Sequence, residues 1–183
     1  MASPYSKDHL RFVALQKRSE ISDARRKAAE RLMAEKLVDL LKGHKLILSY
    51  AAVGSEMSLD PLNHKLAHEG KLVLPKVEGS SLGLYQVFDP DLELIPSKWG
   101  VRQPNTLLCP KVEPANIDAA LVPALYFDRE KMRLGYGKGH FDRFLPKLCK
   151  KALILGVGFK EQLYSEILPS ESHDHPLSEL LLF

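Results

Sequence analysis

The sequence predicts an α/β protein, a single three-layer domain in which a mostly parallel β-sheet is flanked by helices. Nearly continuous apolar runs at residues 119–125 and 152–157 are typical of strands buried on both faces of a parallel sheet. A strand-helix-strand pattern spans residues 45–75, which is the unit that builds such sheets. The 183 residues, 45% hydrophobic and 27% charged, suit one ordinary globular domain covering residues 1–183.

Two regions carry helix signals before the middle of the chain. Apolar residues recur at near-helical spacing through the first forty residues, which predicts one long helix or two short ones. Further on, Asp60 and Pro61 form a cap and a first-turn proline, and Gly70 forms a stop. The apolar residues of the first pattern are Leu10, Val13, Ala14, Ile21, Ala24, Ala28, Leu32, Leu37 and Leu41.

Short apolar runs predict the strands, and the glycine-rich segment predicts the start of the last helix. A helix is predicted to begin just after Gly139 and to reach about Lys147. The predicted strands are residues 45–50, 71–75, 82–88, 119–125 and 152–157.

Charge and composition narrow the classes of partner. The net charge of +3 is spread over many segments, without the clustered basic face of a nucleic-acid-binding protein. No apolar run approaches the length of a membrane span, so we expect no membrane association and a cytoplasmic protein. Cys109 and Cys149 lack metal-type spacing, and we interpret them as reduced structural thiols. We expect a monomer.

The most informative segment is residues 133–145, R-L-G-Y-G-K-G-H-F-D-R-F-L. Its three alternating glycines can adopt positive φ, so that successive backbone N–H groups converge into a concave site suited to phosphate oxygens. These glycines are Gly135, Gly137 and Gly139. The segment matches neither a Walker A loop nor a dinucleotide fingerprint, and an isolated glycine pair of this kind is more often a plain turn. The charged neighbours favour a function.

Three charged side chains accompany the glycines. Lys138 and Arg133 add positive charge, the first mobile and the second forked. Asp142 could hold a divalent cation, since Mg²⁺ usually takes one or two carboxylates together with phosphate oxygens. The segment therefore predicts a nucleotide-binding site.

Other polar residues have both a structural and a functional interpretation. In the run Ser-His-Asp-His of residues 172–175, an extended chain points the two histidines away from Asp174, so a single functional Asp174 is more plausible than a three-ligand metal site. His64 and His68 lack a third ligand and are interpreted as a solvated helix face. Glu56 follows a strand end, where open α/β sheets bind ligands, and Trp99 on a turn-rich segment is equally a ligand platform or a loop anchor.

Taken in order, these segments resemble the 5-formyltetrahydrofolate cyclo-ligase family. The resemblance spans nearly the whole chain, and its most specific part is the glycine segment with F-D preceding it by four residues. The supporting motifs are K-D-H-L-R at 7–11, G-S-E at 54–56, K-W-G at 98–100, G-F-K-E-Q at 158–162 and L-P-S-E-S-H-D-H-P-L at 168–177.

The resemblance implies an ATP-dependent enzyme of folate metabolism. Members of the family convert 5-formyltetrahydrofolate to 5,10-methenyltetrahydrofolate, with Mg²⁺ and with release of ADP and phosphate. The formyl oxygen is phosphorylated, and nitrogen 10 then closes the ring. The substrate carries an anionic glutamate tail, which in polyglutamylated form would suit the basic excess of the chain.

The resemblance also implies roles for individual residues. Lys138 and Arg133 are implied to be catalytic, and Asp142 and Asp174 to bind the metal. The residues implied to bind nucleotide are Lys7, Arg11, Arg133, Leu134, Gly135, Tyr136, Gly137, Lys138, Gly139, His140 and Phe141. The residues implied to bind the folate substrate are Arg11, Ala51, Glu56, Trp99, Tyr136 and His140.

The chain departs from the family pattern at three places. His140-Phe141 stands where the family commonly has Tyr-Tyr, and Leu59 stands where it often has threonine. The turn before Arg133 lacks the usual glycine and must differ or contain a strained Lys131. Two other functions stay open: a non-catalytic protein that binds nucleotide and folate as a regulator, and an ATP-dependent enzyme acting on another small acid or amide.

Overall fold

The fold is built on a central β-sheet. The structure is a computed structural model, which describes residues 5–79, 81–97, 100–171 and 174–183. Within that part of the chain the sheet has six strands, in the spatial order β10 (Glu179–Leu182), β9 (Leu153–Gly158), β6 (Ala119–Val122), β1 (Ile47–Leu48), β2 (Leu72–Glu78) and β3 (Ser81–Gln86). All neighbours are parallel except the antiparallel pair β2 and β3. The predicted α/β class with a mostly parallel sheet is confirmed.

Both faces of the sheet are buried, because successive strand residues point to opposite sides. Ile47 packs in a core with the helices α2 (Asp23–Leu40) and α3 (Asp60–His68). Its neighbour Leu48 packs in a second core with Phe144 of α5 (His140–Phe144) and with the 3₁₀ turn Leu145–Lys147. This arrangement explains why the strands read as unbroken apolar runs rather than as alternating patterns.

The N-terminal region forms two helices, α1 (Lys7–Ser19) and α2, rather than one. Each has a serine cap: Ser6 Oγ accepts from the backbone N–H of His9 at 3.3 Å, and Ser22 Oγ accepts from that of Arg25 at 3.4 Å. The break between them resets the helical phase. The buried stripe of α2 is therefore Ala29, Met33 and Leu37. Ala24, Ala28 and Leu32, which contributed to the helical spacing of the sequence, lie in α2 as predicted but on its exposed side.

The remaining elements are short. Pro61 lies in the first turn of α3, and Gly70 ends that helix with φ of 66°. Lys131 has φ of 62°, as the missing turn glycine predicts. The other elements are α4 (Pro90–Glu93), the hairpin of β4 (Leu94–Pro96) with β5 (Arg102–Pro104), the hairpin of β7 (Tyr126–Phe127) with β8 (Arg133–Leu134), and 3₁₀ turns at Pro114–Asn116 and Lys160–Gln162.

The topology leaves an opening at the carboxyl ends of the central parallel strands, where open α/β sheets place their ligands. Tyr50 and Ala51 follow β1 there, and Pro123 follows β6. No helix in the described part of the chain is long and apolar enough to cross a membrane.

Candidate active site

A cavity of about 520 Å³ lies at this edge of the sheet. It is lined by the start of α1, the turn after β1, the middle of β2, and the glycine loop, by which we mean residues 133–141. Trp99 lies outside the described residues. Every other predicted site residue lines the cavity: Lys7, Arg11, Ala51, Glu56, Arg133, Leu134, Gly135, Tyr136, Gly137, Lys138, Gly139, His140, Phe141, Asp142 and Asp174.

The glycine loop begins in the β7–β8 hairpin and leads directly into α5. Two of its positions require glycine. Gly137 has φ of 90°, and a Cβ there would lie 3.1 Å from Cζ of Arg11. Gly139 has φ of 62°, and a Cβ there would lie 2.8 Å from a guanidinium nitrogen of Arg143. At both positions the positive φ and the close approach of an arginine disfavour any residue with a Cβ atom. Arginine side chains thus lie directly against the loop backbone.

Hydrogen bonds fix these arginines on the loop. Arg11 Nε donates to the carbonyl oxygen of Gly135 at 3.0 Å, and an Arg143 guanidinium nitrogen donates to that of Lys138 at 2.8 Å. The Lys138 side chain itself is exposed at the cavity. The α-helical part of α5 ends at Phe144, and a 3₁₀ turn completes the segment predicted to reach Lys147.

Arg133 is buried behind the loop and faces acidic side chains. Its side chain is 4% exposed, pairs with Asp142, and has an Nε atom that lacks a hydrogen-bond partner within the described structure. Burial lowers the pKa of Arg133, while the charges of Asp142 and Asp174 act in the opposite direction. The Phe141 ring packs 5.5 Å from the guanidinium carbon, so phenylalanine retains the ring contact at this position.

Asp174 belongs to a second ion-pair group that joins the two ends of the chain. Lys7 Nζ lies 2.9 Å from Asp174 Oδ2 and 2.9 Å from Glu171 Oε1. The backbone N–H of Glu171 donates to Asp174 Oδ2 at 2.8 Å. Burial alone would lower the pKa of Lys7, but the hydrogen bonds to the two carboxylates outweigh it and raise that pKa.

The donor set suits a metal that arrives with phosphate. Among the described residues, no group of three or more His, Cys, Asp or Glu side chains is placed to hold a metal ion by itself. Asp142 and Asp174 both act on the charge of Arg133 and both line the cavity. Mg²⁺ usually takes one or two carboxylates and completes its shell with phosphate oxygens and water, so these two residues could hold it together with a phosphate ligand.

Glu56 is a buried carboxylate that also lines the cavity. It follows Gly54, which turns the chain with φ of 57°, and its Oε2 accepts from the backbone N–H of Val53 at 2.8 Å. Burial raises the pKa of Glu56, although Val53, Arg18 and Tyr136 each act to lower it. A buried carboxylate that lines a cavity can accept hydrogen bonds from a ligand bound there.

Sequence reasoning missed Arg18, which supports this region without lining the cavity. Arg18 is 2% exposed, and one of its terminal nitrogens donates to the Tyr136 hydroxyl at 2.5 Å. Burial raises the pKa of that hydroxyl, and the charge of Glu56 adds to the effect. The available signal was the spacing of Leu10, Ala14 and Arg18, which places an arginine on the apolar stripe of α1.

Sequence reasoning also missed the apolar part of the cavity. These side chains come from β2, β3 and the turn after β1, whose sequences indicate only a core strand or a loop. They are Tyr50, Val53, Leu74, Pro75, Val77 and Leu82, with Val101 and Arg102 beside them. The cavity therefore combines a cationic, glycine-rich part with an apolar part that contains one buried carboxylate.

Comparison with known proteins matches nearly the whole chain to one family. Residues 4–182 match the model of the 5-formyltetrahydrofolate cyclo-ligase family. A 5-formyltetrahydrofolate cyclo-ligase of Mycolicibacterium smegmatis is 30% identical over 98% of this chain and 94% of its own. That of Escherichia coli is 30% identical over 82% of each chain.

Solved structures agree. The 5,10-methenyltetrahydrofolate synthetase of Aquifex aeolicus superimposes with a TM-score of 0.78 at 34% identity, covering 95% of this chain and 88% of that one. The synthetase of Mycoplasma pneumoniae shares the fold with a TM-score of 0.77 at 24% identity, over 96% and 98% of the two chains. The chain belongs to the 5-formyltetrahydrofolate cyclo-ligase family.

Proposed function

We propose that this protein converts 5-formyltetrahydrofolate and ATP to 5,10-methenyltetrahydrofolate, ADP and phosphate. In this reaction the formyl oxygen attacks the γ-phosphorus, and ADP leaves. Nitrogen 10 then attacks the formyl carbon, loses its proton, and the phosphate departs with the former formyl oxygen. The proposal rests on family membership together with one structural observation: a single cavity holds both the glycine loop and the buried Glu56.

The glycine loop supplies the chemistry that phosphoryl transfer needs. An amide-type oxygen is a weak nucleophile, so the enzyme must align it with the phosphorus and neutralise charge on the transferred group. Lys138 is exposed at the cavity and can follow the γ-phosphate, whereas Arg133 is fixed by Asp142. Lys7 and Arg11 line the same region from α1. We assign these residues and the amides of 135–141 to the phosphates of ATP.

Glu56 and the apolar side chains suit the folate. The pterin ring is flat, largely apolar on its faces and bears N–H donors on its edge, which a buried carboxylate can accept. Glu56 is 8% exposed and has its ionised form partly stabilised by Arg18. Ala51, Tyr136 and His140 line the cavity beside it. We assign these residues, with Arg11 and the predicted Trp99, to the substrate.

Asp142 and Asp174 would hold Mg²⁺. Bound there, the ion would neutralise phosphate charge during transfer. Arg133 pairs with Asp142 and Lys7 pairs with Asp174, which keeps the two carboxylates in place. We further propose that the enzyme is monomeric and cytoplasmic and that its substrate can carry a polyglutamate tail.

The His140-Phe141 sequence is compatible with catalysis. Phe141 keeps its ring against Arg133, and His140 lies 3.5 Å from Arg143 through its Nδ1 atom. Neither replacement removes a cation or a carboxylate from the cavity. The catalytic function is therefore favoured over a protein that only binds its ligands.

The deciding experiment follows the absorbance of the methenyl product when protein, 5-formyltetrahydrofolate and MgATP are mixed. We expect product only when both ATP and metal are present. Absence of product, with calorimetric binding of both ligands, would instead support the non-catalytic alternative. Absence of folate binding as well would indicate a different small acid or amide as the substrate.

A further inference from the structure

Arg18 joins three separate segments that surround the cavity, yet it does not line the cavity. Its Nε donates to Ser55 Oγ at 3.0 Å, one terminal nitrogen donates to the carbonyl oxygen of Ala124 at 3.3 Å, and the other donates to Tyr136. Burying a guanidinium is unfavourable unless its donors are satisfied. The rigid fork of arginine satisfies three directions at once, which lysine cannot do.

Tyr136 is the residue through which Arg18 can affect the ligand. The tyrosine is 47% exposed and lines the cavity together with Glu56, while its hydroxyl accepts the bond from Arg18. The charges of Arg18 and Glu56 both act on this hydroxyl. The guanidinium carbon of Arg18 lies 5.7 Å from the ring centroid. One buried cation thus contacts the tyrosine ring that lines the cavity through both a hydrogen bond and its guanidinium face.

Ser55 provides the second connection. It directly precedes Glu56, so its bond to Arg18 fixes the turn from which the carboxylate projects. A neighbouring arginine binds the same turn through a different atom: Arg26 donates to the carbonyl oxygen of Ser55 at 2.7 Å, and its guanidinium carbon lies 5.0 Å from the ring centroid of Phe159. Arg26 also donates to the backbone carbonyl oxygen of Arg18, and it has no bond to Tyr136 among those of the described residues. Arg26 is thus a matched control that holds this turn by a separate bond.

We propose that Arg18 is a positioning residue, which orients Tyr136 and Glu56 together so that the cavity receives the folate. The identity of the ligand rests on the proposed function. The coupling of Arg18 to Tyr136 is a separate statement about this chain and can be tested separately.

The first experiment measures calorimetric binding of 5-formyltetrahydrofolate without ATP, which isolates binding from chemistry. Arg18→Lys retains the charge but loses the fork, and we expect its dissociation constant to rise about tenfold. Tyr136→Phe removes only the hydroxyl. If both act through one hydrogen bond, the double variant binds about as weakly as the weaker single variant, rather than showing the product of the two losses.

The control cycle replaces Arg18→Lys with Arg26→Lys. Both lysine variants are expected to lower the melting temperature, because both weaken the Ser55 turn. Only Arg18→Lys should couple to Tyr136→Phe. Multiplicative losses in the Arg18 cycle, or a lowered melting temperature with unchanged folate affinity, would overturn the proposal and leave Arg18 a structural residue.

The second experiment does not depend on any ligand. Carbon-13 labelling of the tyrosine rings gives signals from the six tyrosines, and Tyr136→Phe identifies the one from Tyr136. We expect Arg18→Lys to move or broaden that signal and Arg26→Lys to leave it in place. An unmoved signal would refute the positioning role even if the protein binds no folate, whereas a moved signal without folate binding would reject only the proposed substrate.

Discussion

The ionised form of Glu56 is unfavourable in the folded protein, because the carboxylate is buried. Its burial raises the pKa of the carboxyl above 4.5, the ordinary value for glutamate. Between these two values the folded chain binds more protons than the unfolded chain, so this group lowers stability as the pH rises through them. Above the folded-state pKa the ionised carboxylate persists as a cost to stability. A residue with this property is a good candidate for ligand binding.

Glu56→Gln should separate stability from binding. Glutamine has the same shape and no proton to lose, so the variant should gain melting temperature relative to the parent as the pH rises from about 4 to neutrality. Its affinity for 5-formyltetrahydrofolate should fall about tenfold, while ATP affinity stays unchanged. Calorimetry and thermal melts across this pH range check both effects. Equal folate affinity in the two proteins would show that Glu56 does not meet the substrate.

Lys138 is the mobile cation of the glycine loop, and its removal should affect chemistry more than folding. We expect Lys138→Ala to lower kcat about 100-fold, because a charge that stabilises the transition state is lost. The exposed side chain makes few packing contacts, so the melting temperature should stay unchanged. The absorbance assay for the methenyl product measures the rate. Lys150→Ala is the control, since Lys150 is exposed and outside the cavity lining, and equal rates for both variants would reject the assignment.

At the scale of the element, the glycine loop works through its backbone. Arg11 and Arg143 lie against the loop at Gly137 and Gly139, so the chain can approach them only where no Cβ intervenes. The two arginines bind carbonyl oxygens of the loop, and we assign the N–H groups of the loop to the phosphates of the ligand. In this assignment the carbonyl oxygens of the loop bind the protein's own arginines, and its N–H groups bind the ligand.

Gly137→Ala should therefore weaken nucleotide binding. The new Cβ would strain a residue with φ of 90° and displace Arg11, and we expect ATP affinity to fall at least about tenfold. Gly43→Ala is the matched control, because that glycine has open space around its Cβ position and no positive φ. Fluorescence titration with a labelled nucleotide gives both affinities. Wild-type affinity in Gly137→Ala would mean that the loop does not hold phosphate.

The elements that the sequence predicts best are those whose pattern comes from burial on both faces. The strands at residues 119–125 and 152–157 are present as β6 and β9 because an unbroken apolar run has few other stable environments. The strand β10 was missed, since its four residues lie at the sheet edge and pair only with β9. The helix break at residues 20–22 depends on which serine caps a helix, a local competition that spacing does not decide.

The site could be predicted only where its residues carry an unusual sequence. The glycine loop and the acidic positions stand out by residue type, and they do converge on one cavity. Arg18 stands out less, because an arginine among helical apolar positions usually extends to solvent. The apolar lining from β2 and β3 is identical in composition to a core strand, and only the three-dimensional path of the hairpin exposes it to the cavity.

At the scale of the molecule, ligand binding and stability should be linked. A nucleotide that binds only the folded state at 100 times its dissociation constant adds about 2.7 kcal/mol. For a chain of this length we expect MgATP to raise the melting temperature by about 5–10 °C under those conditions. Magnesium with AMP, which lacks the outer phosphates, should raise it less. Differential scanning calorimetry checks the shift, and an equal effect of AMP would argue against recognition of the outer phosphates.

The ion pair of Lys7 with Asp174 has a consequence for the order in which the protein becomes functional. The two residues are 167 positions apart, and both line the cavity. Synthesis on the ribosome proceeds from the N-terminus. Helix α1 of a growing chain is therefore complete long before Glu171 and Asp174 are added. In the proposed assignment, a partly synthesised chain that lacks Asp174 does not contain the whole site, so we expect turnover of ATP to begin only after this segment has been made.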